Sequence, residues 1–309
     1  MQCLEHPVEK LRSVLLSTRK DLIEAYEQYS REEKCFLDAG LLPGSLLFTA
    51  ITVHSDSDWI SAHPEAPQDF QSFYSNPYRS TPDTGHKTIY IQTIGSFGDG
   101  AGITEQYVEW LREYCEAFYN GLTVKLLPAV TVAASSCTFR VNSNTNNLQL
   151  HAGMGVFSFA RYDDDFYKRS YAGRLKKAIK LKPGDYSVFQ GYYTPPISSI
   201  LLLRSCKTLT HEIGHIFGIK HCQWLQCVMQ GSNHLEESDR RPLDLCPICL
   251  RKLQCAIRFK IADRYKALLQ WIDNGTGNSD QQSGKPTLAF QDFRQWLIKC
   301  LSILADESI

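Results

Sequence analysis

The stretch HEIGHIFGIKHCQWLQCVM, His211 to Met229, constrains this chain more than any other part of it. It brings together three histidines, a glutamate, two cysteines and a methionine, a mixture that packing alone does not call for. His211 and His215 are four apart. On a helix they stand one turn apart, about 6 Å along the axis and on nearly the same face, so both imidazoles reach one ion. Glu212 projects about 100° further round and faces a water on the open side of that ion rather than joining its ligands. Gly218 permits a left-handed turn that ends the helix, and the returning chain carries His221 to the third position. Three histidines leave the fourth position of a tetrahedral zinc open to water and substrate, as in catalytic rather than structural sites. This is the pattern of a zinc hydrolase: the metal acidifies a water and the glutamate takes its proton. Met229, eight residues further on, fits the methionine turn that floors such sites.

A second constellation follows at once. Cys222 and Cys227 are five apart, and Cys246-Pro-Ile-Cys249 is a CxxC knuckle. Four thiolates in two pairs match a closed structural zinc site. Cys222 directly follows His221, so this second zinc would clamp the loop that carries His221 and Met229. His234 lies close by, but nothing in its spacing makes it a ligand. The expected cofactor is therefore two Zn2+ per chain, one catalytic and one structural.

The bulk numbers fit this reading. A chain of 309 residues holds one large domain or two modest ones. Apolar residues make up 43% and charged residues 21%, as in ordinary globular proteins. Lys+Arg and Asp+Glu are both 33, so no charge excess points to nucleic acid or to an anionic membrane. The first twenty residues lack the apolar core and small cleavage-site residues of a secretory signal. No apolar run approaches the roughly 20 residues that span a bilayer. The expectation is an intracellular protein, cytoplasmic or nuclear, monomeric, with a peptide or protein as its partner. The odd total of eleven cysteines argues against a disulfide scaffold. Cys3, Cys35, Cys115, Cys137, Cys206, Cys255 and Cys300 read as small core residues or free thiols.

Along the chain, residues 7–38 read as helical, with Leu11, Leu15, Leu22, Ile23 and Tyr26 at mixed three and four spacing. An irregular segment rich in proline and turn formers follows, up to residue 87. Residues 87–97 alternate as a strand, 104–122 form an amphipathic helix with Thr104 as cap and Gly121 as stop, and 123–132, 148–153 and 155–162 read as strands. That strand–helix–strand start is the pattern of a mixed α/β sheet. The active-site helix is predicted over about 197–218, one further helix over 246–273, and a final one over about 289–304. The domain reading is an N-terminal helical and irregular region (1–85), an upper subdomain (86–221), a lower subdomain (222–273), a flexible linker (274–288) and a C-terminal helix (289–309).

HExxHxxGxxH, followed by CxxxxCxM and then CxxC, resembles the archaemetzincins, zinc metallopeptidases of the metzincin clan. The likeness extends beyond the motif, through "LLLRSCKTLTHEIGHIFG", "HCQWLQCVMQGSNHLEESDRRPL", "HPEAPQDF" and "NNLQLHAG", over nearly the whole chain. It implies catalytic zinc on His211, His215 and His221, Glu212 as general base, Met229 in the turn, and structural zinc on Cys222, Cys227, Cys246 and Cys249. It also implies an α+β, metzincin-like fold: a mixed twisted β-sheet with helices above, a smaller, mainly helical, zinc-stapled half below, and the cleft between them.

In one place the chain departs from that family. Relatives continue after "LQ-HAG" through a helix and a long β-branched strand before "GVFSFARY". Here "HAG" meets "MGVFSFARY" at Met154, so an internal segment of some forty residues is absent near 153–155, as from an alternatively spliced form. The missing strand would be an interior one, and its loss would open the core. Two readings follow: an active zinc peptidase, or a catalytically impaired zinc-binding isoform acting at most as an interaction module. The charged stretch 163–184 reads as solvated surface or as a substrate-reading lid.

Overall fold

The computed structural model describes residues 2–63, 65–94, 101–130, 162, 197–274 and 284–305. The expected strand at 148–153, all of that at 155–162 but its last residue, the junction at Met154, the stretch 163–184 and most of the proposed linker lie outside these residues.

A parallel strand pair joined by a helix forms the α/β element expected near the centre of the sequence. β3 (Thr88–Ile94) pairs with β4 (Thr123–Val130), with Thr88 opposite Thr123 and a register irregularity between Gln92 and Ile94. Between them runs α6 (Ala101–Phe118). Thr104 therefore lies inside this helix rather than capping it. Gly121, at φ +99°, makes the turn into β4. A second, antiparallel pair joins β1 (Gln2–Leu4) to β2 (Ile51–Val53). With the helices around them, these give a mixed α/β, α+β architecture.

The N-terminal region, read as helical over 7–38, holds three short helices: α1 (Val8–Leu16), α2 (Lys20–Glu27) and α3 (Arg31–Ala39). Ser17 turns the chain at φ 81°, and the Ser30 side chain caps α3 through the Glu33 amide. The supposedly irregular stretch that follows also holds structure. It carries β2, α4 (Trp59–Ala62) and α5 (Phe70–Tyr74), with Trp59, Phe70 and Phe73 buried.

α7 (Ser199–Ile216) is the helix expected over about 197–218, a little shorter than predicted. Ser198 caps it by accepting from the Leu201 amide at 3.1 Å. Leu201, Leu202, Cys206, Leu209, Thr210 and Ile213 are all buried, so α7 is a central core helix rather than a surface one. α6 packs along it: the Tyr107 hydroxyl meets Ser205 Oγ, and the Tyr119 hydroxyl, just past α6, donates to the Thr210 carbonyl at 2.5 Å. The buried Lys207 ammonium donates to the carbonyls of Ser238, Asp239 and Arg241, tying the helix to the chain below.

That lower chain contains α8 (Leu235–Arg240), α9 (Pro247–Ile257) and α10 (Ile261–Asp273). The single helix expected over 246–273 is thus two. Arg258 ends α9 in the left-handed region at φ 57°, ψ 48°. Glu33 of α3 then accepts from the Ile261 amide at 2.8 Å and so caps α10. The cap comes from 228 residues away, so no local sequence signal marks the break. The chain closes with a 3-10 turn (Leu288–Phe290) and α11 (Gln291–Leu304). The end of the proposed linker is docked rather than free: Lys285 is buried and bonds the Trp271 carbonyl. No helix among the described residues is long and apolar enough to cross a membrane.

Candidate metal centre

His211 and His215 project from the last turns of α7, with their Nε2 atoms 3.0 Å apart and their rings perpendicular. The helix then ends. Gly218, at φ +85°, reverses the chain, and the Ile219 amide bonds the Gly214 carbonyl at 3.2 Å. Glycine is required here on two counts. The backbone is left-handed, and a Cβ would stand 2.7 Å from Arg79 Cβ. The reversal brings the His221 ring within 5.4 Å of His211 and 4.8 Å of His215, centroid to centroid. One ligand atom from each histidine lies within 4.8 Å of the others.

The hydrogen bonds test whether a cation fits. His211 Nδ1 is 2.8 Å from the Val228 carbonyl, His215 Nδ1 2.7 Å from the Ile219 carbonyl, and His221 Nδ1 3.0 Å from Glu65 Oε2. These three oxygens accept only, and the Val228 carbonyl lies nearer His211 Nδ1 than the Arg241 Nη1 donor does, at 2.8 against 3.3 Å; each Nδ1 therefore donates and carries the proton, which leaves each neutral ring a bare Nε2. In His211 and His215 those lone pairs face each other across 3.0 Å. Two acceptors at that distance repel unless a cation lies between them. Ligands about 2.0–2.1 Å from a tetrahedral zinc stand about 3.3 Å apart. Burial, with the Arg241 guanidinium beside it, holds His211 well below the usual imidazole range, and burial lowers His221 too. Both shifts favour the neutral, ligating form.

Glu212 is half-buried next to the first histidine, and its carboxylate bonds no described residue. Met229 lies fully buried beneath the helix. A Cβ on Gly214, between the two helical histidines, would stand 2.5 Å from its sulfur. The Cys222 amide donates to the Met229 carbonyl at 2.8 Å, which locks the methionine to the strand of chain leaving His221.

Cys222, Cys227, Cys246 and Cys249 converge directly behind this loop, all at 3% exposure or less. Cys222 and Cys246 are 3.6 Å apart, sulfur to sulfur. That is far beyond a disulfide bond and near the about 3.8 Å expected for thiolates on a tetrahedral zinc. The Met229 and Cys246 amides point at Cys227 Sγ, at 3.4 and 3.3 Å. Burial pushes Cys227 and Cys246 up, while bonds from its three neighbours hold Cys222 well down. A coordinated cation would supply the charge that keeps all four as thiolates.

Sequence reasoning missed several residues around this centre. Trp59 packs its ring 4.4 Å from that of His221. Gln68 donates to the Gly218 carbonyl and accepts from the Lys220 amide, both at 3.0 Å. Arg241 bonds the Gln230 carbonyl and reaches toward that of Val228. No spacing rule links these residues to the motif, although Glu65 and Gln68 fall in the "HPEAPQDF" stretch. Asp58, His234 and Glu237 form a third group of potential ligand atoms, and each is engaged in hydrogen bonds. Asp58 Oδ2 accepts from Arg240 and the His54 amide, and Glu237 from the amides of Trp59 and Asn233. His234 Nδ1 accepts from the Glu237 amide. The group is a hydrogen-bonded staple that holds Trp59 in place.

A histidine pair on a core helix, a third histidine after a glycine reversal and a methionine beneath them define a metzincin-like metallopeptidase. Sequence comparison narrows the class. Residues 128–255 match Peptidase family M54. The chain is 48% identical to archaemetzincin-2 of Macaca fascicularis and 47% identical to that of Homo sapiens, in each case over 98% of this chain and 99% of the relative. Human archaemetzincin-1 is 31% identical over 90% of the chain and 65% of that protein. The chain belongs to the archaemetzincin family of metallopeptidases. The alignment with the human archaemetzincin-2 runs over 358 positions and takes in 98% of the 309 residues of this chain, so at least 49 of its positions have no counterpart here. No solved structure matches it.

Proposed function

We propose that this chain hydrolyses peptide bonds with a zinc ion held by His211, His215 and His221, and with Glu212 as general base. The observation that carries the reading is the set of three imidazoles, each proton-locked at Nδ1 by an acceptor, with the Nε2 atoms of His211 and His215 face to face. A zinc held by these histidines would lower the pKa of a water to about 7 and would polarise the scissile carbonyl. Glu212, with no partner among the described residues, accepts the proton of the attacking water and delivers it to the leaving amine. Met229 and the Gly218 turn hold the histidines in register. We assign a second, structural zinc to Cys222, Cys227, Cys246 and Cys249. The substrate is a peptide or protein chain, and we take the enzyme to be a monomer. Ten described cysteines are unpaired, which supports a reducing, intracellular setting.

A second reading has its own support. An alignment longer than this chain agrees with the loss of internal sequence. An isoform of that kind would keep both sets of metal ligands, all of which lie downstream of residue 197, and lose substrate binding.

One experiment separates the two. Peptide hydrolysis is compared between the wild type and Glu212→Gln, with zinc per chain measured on both. The peptidase reading expects two zincs in each protein and a rate loss of about 10²–10⁴ in the variant. Two zincs with no hydrolysis by the wild type selects the impaired isoform. Hydrolysis unchanged by the substitution removes Glu212 from the mechanism.

A further inference from the structure

We propose that Glu65 is a positioning residue for the third metal ligand, orienting His221 through its Nδ1 proton. The inference rests on the reading of His211, His215 and His221 as zinc ligands. The three histidines are not held alike. His211 and His215 sit on a helix, and each gives its Nδ1 proton to a backbone carbonyl, of Val228 and Ile219. His221 follows the helix, on a loop, where no helical backbone restricts its side chain. Its Nδ1 proton goes to a carboxylate instead: Glu65 Oε2, 3.0 Å away and 156 residues distant in the chain. A carboxylate on Nδ1 fixes the tautomer, aims Nε2 and raises its basicity toward the metal.

The surroundings distinguish this contact from a surface ion pair, which would be worth little. Both side chains are less than a third exposed. The Glu65 backbone is itself fixed, because its carbonyl accepts from Gln223 Nε2 at 2.7 Å. Three residues on, Gln68 bonds Gly218 and Lys220, while its own carbonyl accepts from the buried Lys252 ammonium at 2.6 Å. Residues 65–68 thus grip the His221 turn from both ends, at 218–220 and at 223. Trp59 closes the side of the ring. The segment that delivers the carboxylate belongs to the metal centre.

The test uses the full chain and zinc alone as probe. Zinc affinity of the three-histidine site is measured by chelator competition for wild type, Glu65→Ala and Glu65→Gln. Cobalt(II) substitution follows occupancy of the four-cysteine site separately through its thiolate bands. Glu65→Ala is expected to weaken the histidine site by about 10–100-fold and leave the cysteine site unchanged. Glu65→Gln, whose amide oxygen still accepts from Nδ1, should fall between alanine and wild type. Its retained shape keeps the comparison available if the alanine variant folds poorly. Wild-type affinity in Glu65→Ala overturns the proposal, as does equal weakening of both sites, which would mark a general structural role. A wild type that binds no zinc at the histidines overturns the zinc reading itself, and does so before any variant is compared.

Discussion

The two metal-ligand clusters share a loop but are built in opposite ways. The four cysteines are sealed at 3% exposure or less, and two backbone amides point at Cys227. The histidines are closed on one side only: His211 is buried, while His215, His221 and the neighbouring Glu212 keep part of their surface. The sealed cluster has no room for a reactant, so its contribution is to shape. The open one has room, and its third histidine stands on a loop held from outside α7, by residues 65–68 on one side and the cysteine loop on the other. His221 and Cys222 are adjacent, and the Cys222 amide is bonded to the Met229 carbonyl. The closed site therefore supplies part of the rigidity that the open one lacks. The difference shows how a loop can carry a reactive ligand without a helix under it.

The largest effect should come from breaking that dependence at the closed site. Structural zinc contributes about 10–16 kcal/mol in small zinc domains, against a typical net stability of about 5–15 kcal/mol. Cys227→Ser should therefore lose the folded loop around the four cysteines, and with it metal at both sites. His215→Ala should lose only the open-site metal and keep a cooperative thermal transition. Zinc counting and circular dichroism on both variants check this. A folded Cys227→Ser protein with full histidine-site zinc would show that the two sites are independent.

Next in size is the ion pair that anchors the shared loop. Arg264 is fully buried and bonds both Asp244 oxygens, at 3.0 and 2.6 Å, and the Phe118 carbonyl at 2.8 Å. The Asp244 carbonyl accepts from the Val228 amide at 2.8 Å, and the Val228 carbonyl receives the His211 proton. Asp244→Asn leaves the arginine charge without its counter-ion, at a cost of about 3–5 kcal/mol. Denaturant unfolding should show that loss, accompanied by weaker zinc at the histidines. A loss below about 1 kcal/mol would mean that the arginine finds other partners.

How much of this was legible beforehand follows from the range of each interaction. The ligand spacing is local, so His211, His215, His221 and the four cysteines could be read directly and are found gathered into two groups. Met229 and Gly218 were legible for the same reason. Glu65, Gln68, Trp59, Asp244 and Arg264 were not, because each reaches its partner across the fold rather than along the chain. The same limit explains the element errors. The break at Arg258 is capped by Glu33, and the stretch before residue 87 is ordered by contacts with the metal loop, such as the Trp224 indole on the Gln68 carbonyl. Turn formers and prolines marked where that stretch bends but not what it binds.

The smallest change expected to be measurable tests the methionine beneath the open site. A Cβ on Gly214 would lie 2.5 Å from Met229 Sδ and 3.0 Å from its terminal carbon. Met229 is fully buried, so the thioether cannot simply swing into solvent. Gly214→Ala should cost about 1–3 kcal/mol through overpacking, partly offset by the better helix propensity of alanine. The strain falls between His211 and His215, so histidine-site zinc should weaken while the cysteine site keeps its metal. Met229→Ala opens space below and should lose stability by leaving a cavity. In the double variant the alanine methyl no longer meets the sulfur, and the two losses should sum to less than their separate values. A double-mutant cycle read by denaturant unfolding measures that coupling. Strict additivity would mean that the sulfur and the helix are not in the close contact described here, and that the open site takes its rigidity from the loops around it rather than from the methionine beneath.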